Sequence, residues 1–301
     1  MKLATVAKGE STTLMAVDGD QAIDLSELFV RAGVINAPKS VTDVVLGGLN
    51  LENMLRQAGG VAAAKRMPVS QCHLLPPHLS QANVFCVGVN YSEHGKEAAA
   101  AGVDYVAPPA PTYFTRDARS FCGPYDDIVV RRDLTARLDW EAELGVVIGI
   151  GGRFIAAQAA LDHVFGYVII NDISARDVQL GRGQWFLGKN LTRTGPVGPY
   201  VVTADEIGDP QNLIVSLRVD GQVKQSASTS TMIHSVAALI ADLSQYIELR
   251  PGDLISTGTP AGIGAAQNPP QFLQAGSIVE VDISGLGRQR NVVRIIDHSP
   301  A

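Results

Sequence analysis

Residues 138–148 read Leu138-Asp139-Trp140-Glu141-Ala142-Glu143-Leu144-Gly145-Val146-Val147-Ile148. The even positions are all apolar, and the odd ones include Asp139, Glu141, Glu143 and Gly145. This period of two predicts one continuous strand, because successive side chains of a strand leave opposite faces. Glu141 and Glu143 then point the same way, with their backbones roughly 7 Å apart. Two readings follow. Either the acidic face is simply solvated, as one face of an antiparallel sheet often is, or the two like charges tolerate each other because a cation sits between them.

Outward from this segment, apolar runs predict further strands at Val84 to Val87, Tyr167 to Ile170, Ile214 to Val219, Leu254 to Ser256, Ile278 to Ile283 and Asn291 to Ile296. Asp220-Gly221 supplies a tight turn. An apolar stripe of Ile233, Val236, Ile240, Leu243 and Ile247 predicts an amphipathic helix from about Met232 to Ile247. Upstream, Asp18-Gly19-Asp20 joins a hairpin, and helices are expected near Leu25 to Ala32 and Val41 to Gln57. Pro68, Pro76 and Pro77 punctuate the stretch that follows. We therefore expect a small N-terminal α+β domain at 1–75 and a larger domain at 76–301. Strands outnumber helices without alternating regularly with them. That speaks against Rossmann and TIM folds and for a β-rich α+β fold.

The chain has 301 residues, 46% hydrophobic and 18% charged, with a net charge of −6 from 30 acidic and 24 basic residues. Such a composition supports a sizeable globular core. No basic face is evident, so nucleic acid is not an expected partner. Nor is a membrane, since no apolar run approaches the roughly 18 to 20 residues that a span requires. The N-terminus reads as strand, not as a signal core. Cys72, Cys86 and Cys122 are widely spaced without a Cys-x-x-Cys pair. They read as reduced, buried thiols in a cytoplasmic protein.

Asp172 closes the apolar run 167–171, where a buried strand would emerge. Such an aspartate lines sites or makes turns about equally readily. Together with Glu141 and Glu143 it would form a hard all-oxygen ligand set that suits Mg²⁺ or Mn²⁺, accepts Ca²⁺ and disfavours Zn²⁺. In Asn90-Tyr91-Ser92-Glu93-His94-Gly95-Lys96-Glu97 the first residue is expected to cap a helix, with Glu93 in capping-box position. His94 and Glu97 then share a helical face, either as an oriented general base or as a surface contact. The loop 257–264 lacks the Lys-Ser/Thr of a P-loop; its amides and the Thr259 hydroxyl are expected to face an anionic ligand. Lys189, set among apolar and glycine residues, reads as an oxyanion-holding cation or as an exposed lysine. His163 and His234 are placed on helices with structural roles, and His73, His78 and His298 in loops or tails.

These motifs resemble the signature of the fumarylacetoacetate hydrolase family over about residues 75–296. The segments that carry the likeness are Leu74-Leu75-Pro76-Pro77, Val87 to Tyr91 with His94 and Glu97, Trp140 to Leu144, and Asn171-Asp172-Ile173-Ser174-Ala175-Arg176-Asp177. Gly188-Lys189, Gly198-Pro199, Met232-Ile233, Pro251-Gly252-Asp253 and Thr257-Gly258-Thr259-Pro260 continue it. The resemblance implies a mixed β-roll, usually homodimeric. It implies Mg²⁺ or Mn²⁺ on Glu141, Glu143 and Asp172, with His94 and Glu97 activating water and Lys189 stabilising an enolate. It also implies that Arg176 supports the metal-site loop and that Gln179 and Thr259 contact substrate. The chain departs from the family pattern at Asn190-Leu191-Thr192-Arg193-Thr194, at Gly276-Ser277 and at Phe114-Thr115-Arg116, where many members carry a lysine in place of Arg116. The expected activity is hydrolysis of a C–C bond in an acylpyruvate-like or fumarylpyruvate-like diketo acid. The alternatives are decarboxylation of oxaloacetate, isomerisation or hydration of a 2-oxo-enoate at the same site, and a non-catalytic oxo-acid-binding protein.

Overall fold

The computed structural model describes residues 1–77, 84–100 and 109–297. Two large sheets organise it. The first has ten strands in the order Arg66–Pro68, Gln21–Asp24, Ser11–Asp18, Lys2–Lys8, Val201–Thr203, Val164–Asn171, Ala142–Ile148, Leu254–Ser256, Val84–Val87 and Tyr113–Arg116. All its pairings are antiparallel except that of Leu254–Ser256 with Val84–Val87. The second has five strands in the order Gln222–Ser228, Ile214–Val219, Ile278–Ile283, Gly287–Ile296 and Ile128–Arg131. This is the β-rich α+β architecture expected, and it is mixed because Gly287–Ile296 also pairs in parallel with Ile128–Arg131.

The diagnostic segment is not one strand. Leu138–Asp139 and Ala142–Ile148 are separate strands, broken at Trp140 and Glu141. Both faces of the second are covered. Leu144, Val146 and Ile148 join a core with Leu217 and Val281 of the five-stranded sheet and with Leu239 and Ile240 of the helix Val236–Tyr246. Val147, on the other face, packs with Val168 and Ile170. The solvated-face reading of Glu141 and Glu143 is therefore wrong, since both are buried.

Other boundaries differ for local reasons. The expected helix at 41–57 is two, Val41–Leu46 and Leu51–Gln57, separated by Gly47-Gly48 and begun by side-chain caps from Ser40 and Asn50. The helix expected from Met232 starts later, where Ser235 accepts the amide of Ala238, so His234 precedes it. His163 lies at the end of a 3₁₀ segment, Ala157–His163. His78 and His298 are outside the described residues.

The first lobe is tied to the rest by hydrogen bonds and by packing. Lys2 and Leu3 pair with Val202 and Val201. Leu3, Phe29 and Val41 share one apolar cluster with Val84, Val147 and Ile170.

Candidate active site

The register between Ala142–Ile148 and Val164–Asn171 sets Ala142 opposite Asn171 and Glu143 opposite Ile170. One step beyond that ladder, the Asp172 amide donates to the Glu141 carbonyl at 2.8 Å, and Asn171 Oδ1 accepts from the Glu141 amide at 3.1 Å. This irregular exit from two paired strands brings the three carboxylates together. Ligand oxygens of Glu141, Glu143 and Asp172 lie within 4.8 Å of one another, and all three residues are buried.

Each carboxylate has its own supports. Glu141 receives Lys189 Nζ at 2.7 Å and Arg176 Nη2 at 2.6 Å. Asp172 receives Lys189 Nζ at 2.6 Å and the Arg116 guanidinium. Glu143 makes no ion pair among the described residues; Ser256 Oγ donates to it at 2.5 Å and the Gly258 amide at 3.0 Å. The charges follow. Burial alone would raise the Glu141 carboxyl, but Lys189 and Arg176 outweigh it and hold the group down to about 2. Glu143 is pushed well above its ordinary value, first by burial and then by Asp172 and Glu141. Burial would depress the Lys189 ammonium, yet Asp172 and Glu141 raise it.

Two glycines permit these positions. Gly258 adopts φ +94°, and a Cβ there would sit 2.9 Å from the Asn90 side chain. At Gly188, a Cβ would lie 2.5–2.6 Å from Gln179, so only glycine lets the helix Phe186–Lys189 approach Arg176–Leu180 and bury the Lys189 ammonium beneath it.

Asn90 does not cap the helix Ser92–Ala100. Its amide nitrogen donates to the carbonyls of Thr257 and His234 at 2.8 and 3.1 Å, and its oxygen accepts the His234 amide at 2.8 Å. The side chain thus ties the start of that helix to the 257–264 loop. His94 Nδ1 lies 3.3 Å from Glu97 Oε2, and both Glu97 oxygens accept the Gly262 amide at 3.0 and 3.1 Å. The loop amides expected to face a ligand are instead taken by carboxylates of the protein: Gly258 by Glu143, Gly262 by Glu97, and Gly264 and Ala265 by Asp139. A buried amide must be paired, and these acids serve that need. Thr259 Oγ1 donates to the Ala142 carbonyl and accepts from Gln225.

A cavity of about 370 Å³ opens against this cluster. Of the expected residues, His94, Glu141, Arg176, Gln179, Lys189 and Thr259 line it; Glu97, Glu143 and Asp172 stand behind that lining. Its other walls are largely apolar, with Phe114, Trp185, Ile263 and Phe272 among them. Sequence reasoning missed Asp139, which is buried and receives Arg176 Nε at 2.8 Å as well as the two loop amides. The signal was present, since Asp139 shares the odd register of Glu141 and Glu143. Arg116 was noted only as a departure from a pattern, although an arginine beside aromatic and apolar residues already asks for a buried acid.

The donor set fits a divalent cation. Three buried oxygens converge, two of the carboxylates are paired with cations of the chain, and Glu143, whose ionised form burial and its acidic neighbours disfavour, has no cation of the described residues beside it. An all-oxygen set of this kind selects a hard ion.

A β-roll with a buried acidic triad at the end of paired strands is the class that fold and site define. The model of the fumarylacetoacetate hydrolase C-terminal domain matches residues 83–294, and the chain belongs to that family. Among curated relatives, an oxaloacetate tautomerase of Bos taurus is 39% identical over 255 residues, 83% of this chain and 78% of that one. A 2,4-didehydro-3-deoxy-L-rhamnonate hydrolase of Sphingomonas is 39% identical over 267 residues, 87% of this chain and 92% of that one. Among solved structures, the maleylpyruvate hydrolase of Sphingobium sp. SYK-6, in complex with manganese(II) and pyruvate, superposes with a TM-score of 0.79 at 26% identity, covering 98% of this chain and 99% of that one. No helix among the described residues is long and apolar enough to cross a membrane.

Proposed function

We propose that this chain is a divalent-metal-dependent hydrolase that cleaves a C–C bond in an acylpyruvate-like 2,4-dioxo acid. The observation that carries the reading is one cavity lined together by Glu141 of the acidic triad, by His94 with Glu97 behind it, and by Lys189. Glu141, Glu143 and Asp172 would hold the ion, Mg²⁺ or Mn²⁺ by the hardness of the donors. Once bound it would polarise the oxygens of the oxo acid as a Lewis acid. His94, its Nδ1 oriented by Glu97, takes a proton from water at its other ring nitrogen. The resulting hydroxide adds to the distal carbonyl, and the C–C bond breaks. Its electron pair passes to the pyruvate fragment as an enolate, and the acyl group leaves as a carboxylic acid. The Lys189 ammonium offsets the enolate charge, and the proton held by His94 returns to carbon. Arg176 and Gln179, joined Nη1 to Oε1 at 3.0 Å, and Thr259 border the bound acid.

A panel of 2,4-dioxo acids with Mg²⁺, with Mn²⁺ and with chelator, read out by product mass, tests this. Acylpyruvates should be split only when metal is present. His94→Ala should keep metal affinity and lower hydrolysis by about 10² to 10⁴. Acylpyruvates left intact with either metal would refute the reading.

The names of relatives favour a second reading, keto–enol isomerisation of oxaloacetate; its decarboxylation would pass through the same enolate. Oxaloacetate assayed beside that panel separates the two: the metal-loaded protein would speed its keto–enol interconversion, followed by ultraviolet absorbance, or release CO₂, while acylpyruvates persisted. Three free cysteines suit a reducing compartment such as the cytoplasm. We also propose a homodimer, which light scattering on the purified chain would test.

A further inference from the structure

We infer that Arg137 is a specificity-determining residue that binds an anionic group at the far end of the substrate, so that the preferred ligand is a dicarboxylic 2-oxo acid. The inference rests on the reading of the cavity as an oxo-acid site and names the class of acid it takes.

Among the described residues, three arginine or lysine side chains line the cavity: Arg176, Lys189 and Arg137. The first two are spoken for. Arg176 is held by Asp139, Glu141 and Gln179, and Lys189 by Glu141 and Asp172. For Arg137, no carboxylate among the described residues lies within ion-pair distance of the guanidinium. Its backbone amide donates to Thr135 Oγ1 and its carbonyl accepts the Arg176 amide, so the residue is anchored while no acid among the described residues takes its charge.

Its direction follows from the local strand. In Leu138–Asp139 the Leu138 side chain enters the core, whereas Asp139 points to the amides of Gly264 and Ala265. By the period of two, Arg137 leaves on the Asp139 side. The segment that covers the cavity runs past it there, with the Leu273 amide on the Leu138 carbonyl at 2.8 Å and Pro270 and Phe272 in the lining. Arg137 and Leu180, both exposed, mark the open end, opposite the buried Glu141 and Lys189.

The charge count agrees. Around the inner end, Asp139, Glu141, Glu143 and Asp172 face Arg116, Arg176 and Lys189. With Glu97 beside His94 counted too, five carboxylates stand against three cations, and a divalent ion would bring that set to neutrality. Arg137 is a further cation outside that set of paired groups, exposed in the wall of a mostly apolar cavity. A planar fork of five donors in that position suits a second carboxylate better than an alkyl end.

The test uses binding, not turnover. Affinities of the Mg²⁺- or Mn²⁺-loaded protein are measured by calorimetry for two matched pairs: 2-oxoadipate against 2-oxohexanoate, and 2-oxoglutarate against 2-oxopentanoate. Each pair differs by a terminal carboxylate in place of a methyl group, and none has the second oxo group needed for cleavage. For wild type, the dicarboxylate of at least one pair should bind about ten- to a hundredfold more tightly, as one charge-assisted hydrogen-bonded pair gives. In Arg137→Gln that ratio should fall to near one, with metal affinity and monocarboxylate affinity unchanged; Arg137→Lys should retain part of it. A wild-type ratio near one in both pairs, or a ratio untouched by Arg137→Gln, overturns the inference. A ratio that tracks Arg137 while every acylpyruvate stays intact leaves this subsite standing and rejects the hydrolase reading; turnover of acylpyruvates with no such ratio does the reverse.

Discussion

Arg116→Met makes a strong test of how the acidic triad is held together. The Arg116 side chain is fully buried and ion-paired to Asp172; its Nε donates to Ser120 Oγ at 3.1 Å and its guanidinium lies 4.9 Å from the Phe121 ring centroid. Methionine fills similar space and keeps the apolar contact, but it removes the charge. Asp172 is then left with Lys189, which Glu141 already shares. Breaking one side of a buried ion pair costs about 3–5 kcal/mol; because Lys189 remains, a loss near the lower limit, about 3 kcal/mol, is expected in chelator. With the divalent ion present the sign of the second effect reverses. A cluster with one cation fewer should bind the ion more tightly, and a ligand at one hundred times its dissociation constant stabilises the native state by about 2.7 kcal/mol. The assay is urea unfolding of wild type and variant, each in chelator and in Mn²⁺. The variant should be clearly weaker in chelator, and its gain from Mn²⁺ should exceed that of wild type. Equal stability in chelator, or an equal or smaller gain from metal, would show that Arg116 does not serve to neutralise the triad.

Two further outcomes are expected. Burial alone would raise the Asp177 carboxyl, but the Thr135 hydroxyl and the amides of Ala136 and Val178 hold it below its ordinary value. A folded-state pKa below the unfolded one contributes stability above the ordinary aspartate range and loses it as pH falls through the folded value; unfolding of wild type and Asp177→Asn between pH 7 and pH 3 should therefore show a gap that closes with acid, and a constant gap would contradict this. A chain begun at residue 76 should fail to yield a monodisperse, metal-binding protein, because it uncovers the edge of Val201–Thr203 and the apolar partners of Leu3 and Phe29, each such side chain worth about 1.5–3 kcal/mol when buried; a stable fragment seen by size-exclusion chromatography would refute this and establish 76–301 as a unit that folds without the first lobe.

What could be read from the sequence was local. Alternation along 138–148 identified which side chains share a face, and it placed Glu141 and Glu143 together. It could not reveal that the acidic face is covered as well, since the cover there comes from segments far away in sequence: Val147, on that face, clusters with Leu3, Phe29 and Val41 of the first lobe. The break at Trp140 and Glu141 escaped for the same reason: the Trp140 indole donates to the Gly262 carbonyl and the Asp172 amide to the Glu141 carbonyl, both partners distant in sequence. Asn90 shows the limit most clearly. Its place before Ser92-Glu93 satisfied every local rule for a helix cap, yet each polar atom of its side chain is bonded to residues 257 or 234. A cap contributes about 1 kcal/mol at an exposed helix end, whereas those bonds satisfy buried backbone groups that would otherwise each cost about 1–3 kcal/mol, and the larger demand wins. The same competition explains the 257–264 loop. Its amides looked suited to an external anion, but four of the amides in and beside it meet carboxylates supplied by Glu143, Glu97 and Asp139. An acid that serves the fold in this way is spent on structure, and the only lining cation without such a partner among the described residues, Arg137, is where recognition of a charged substrate has room to act.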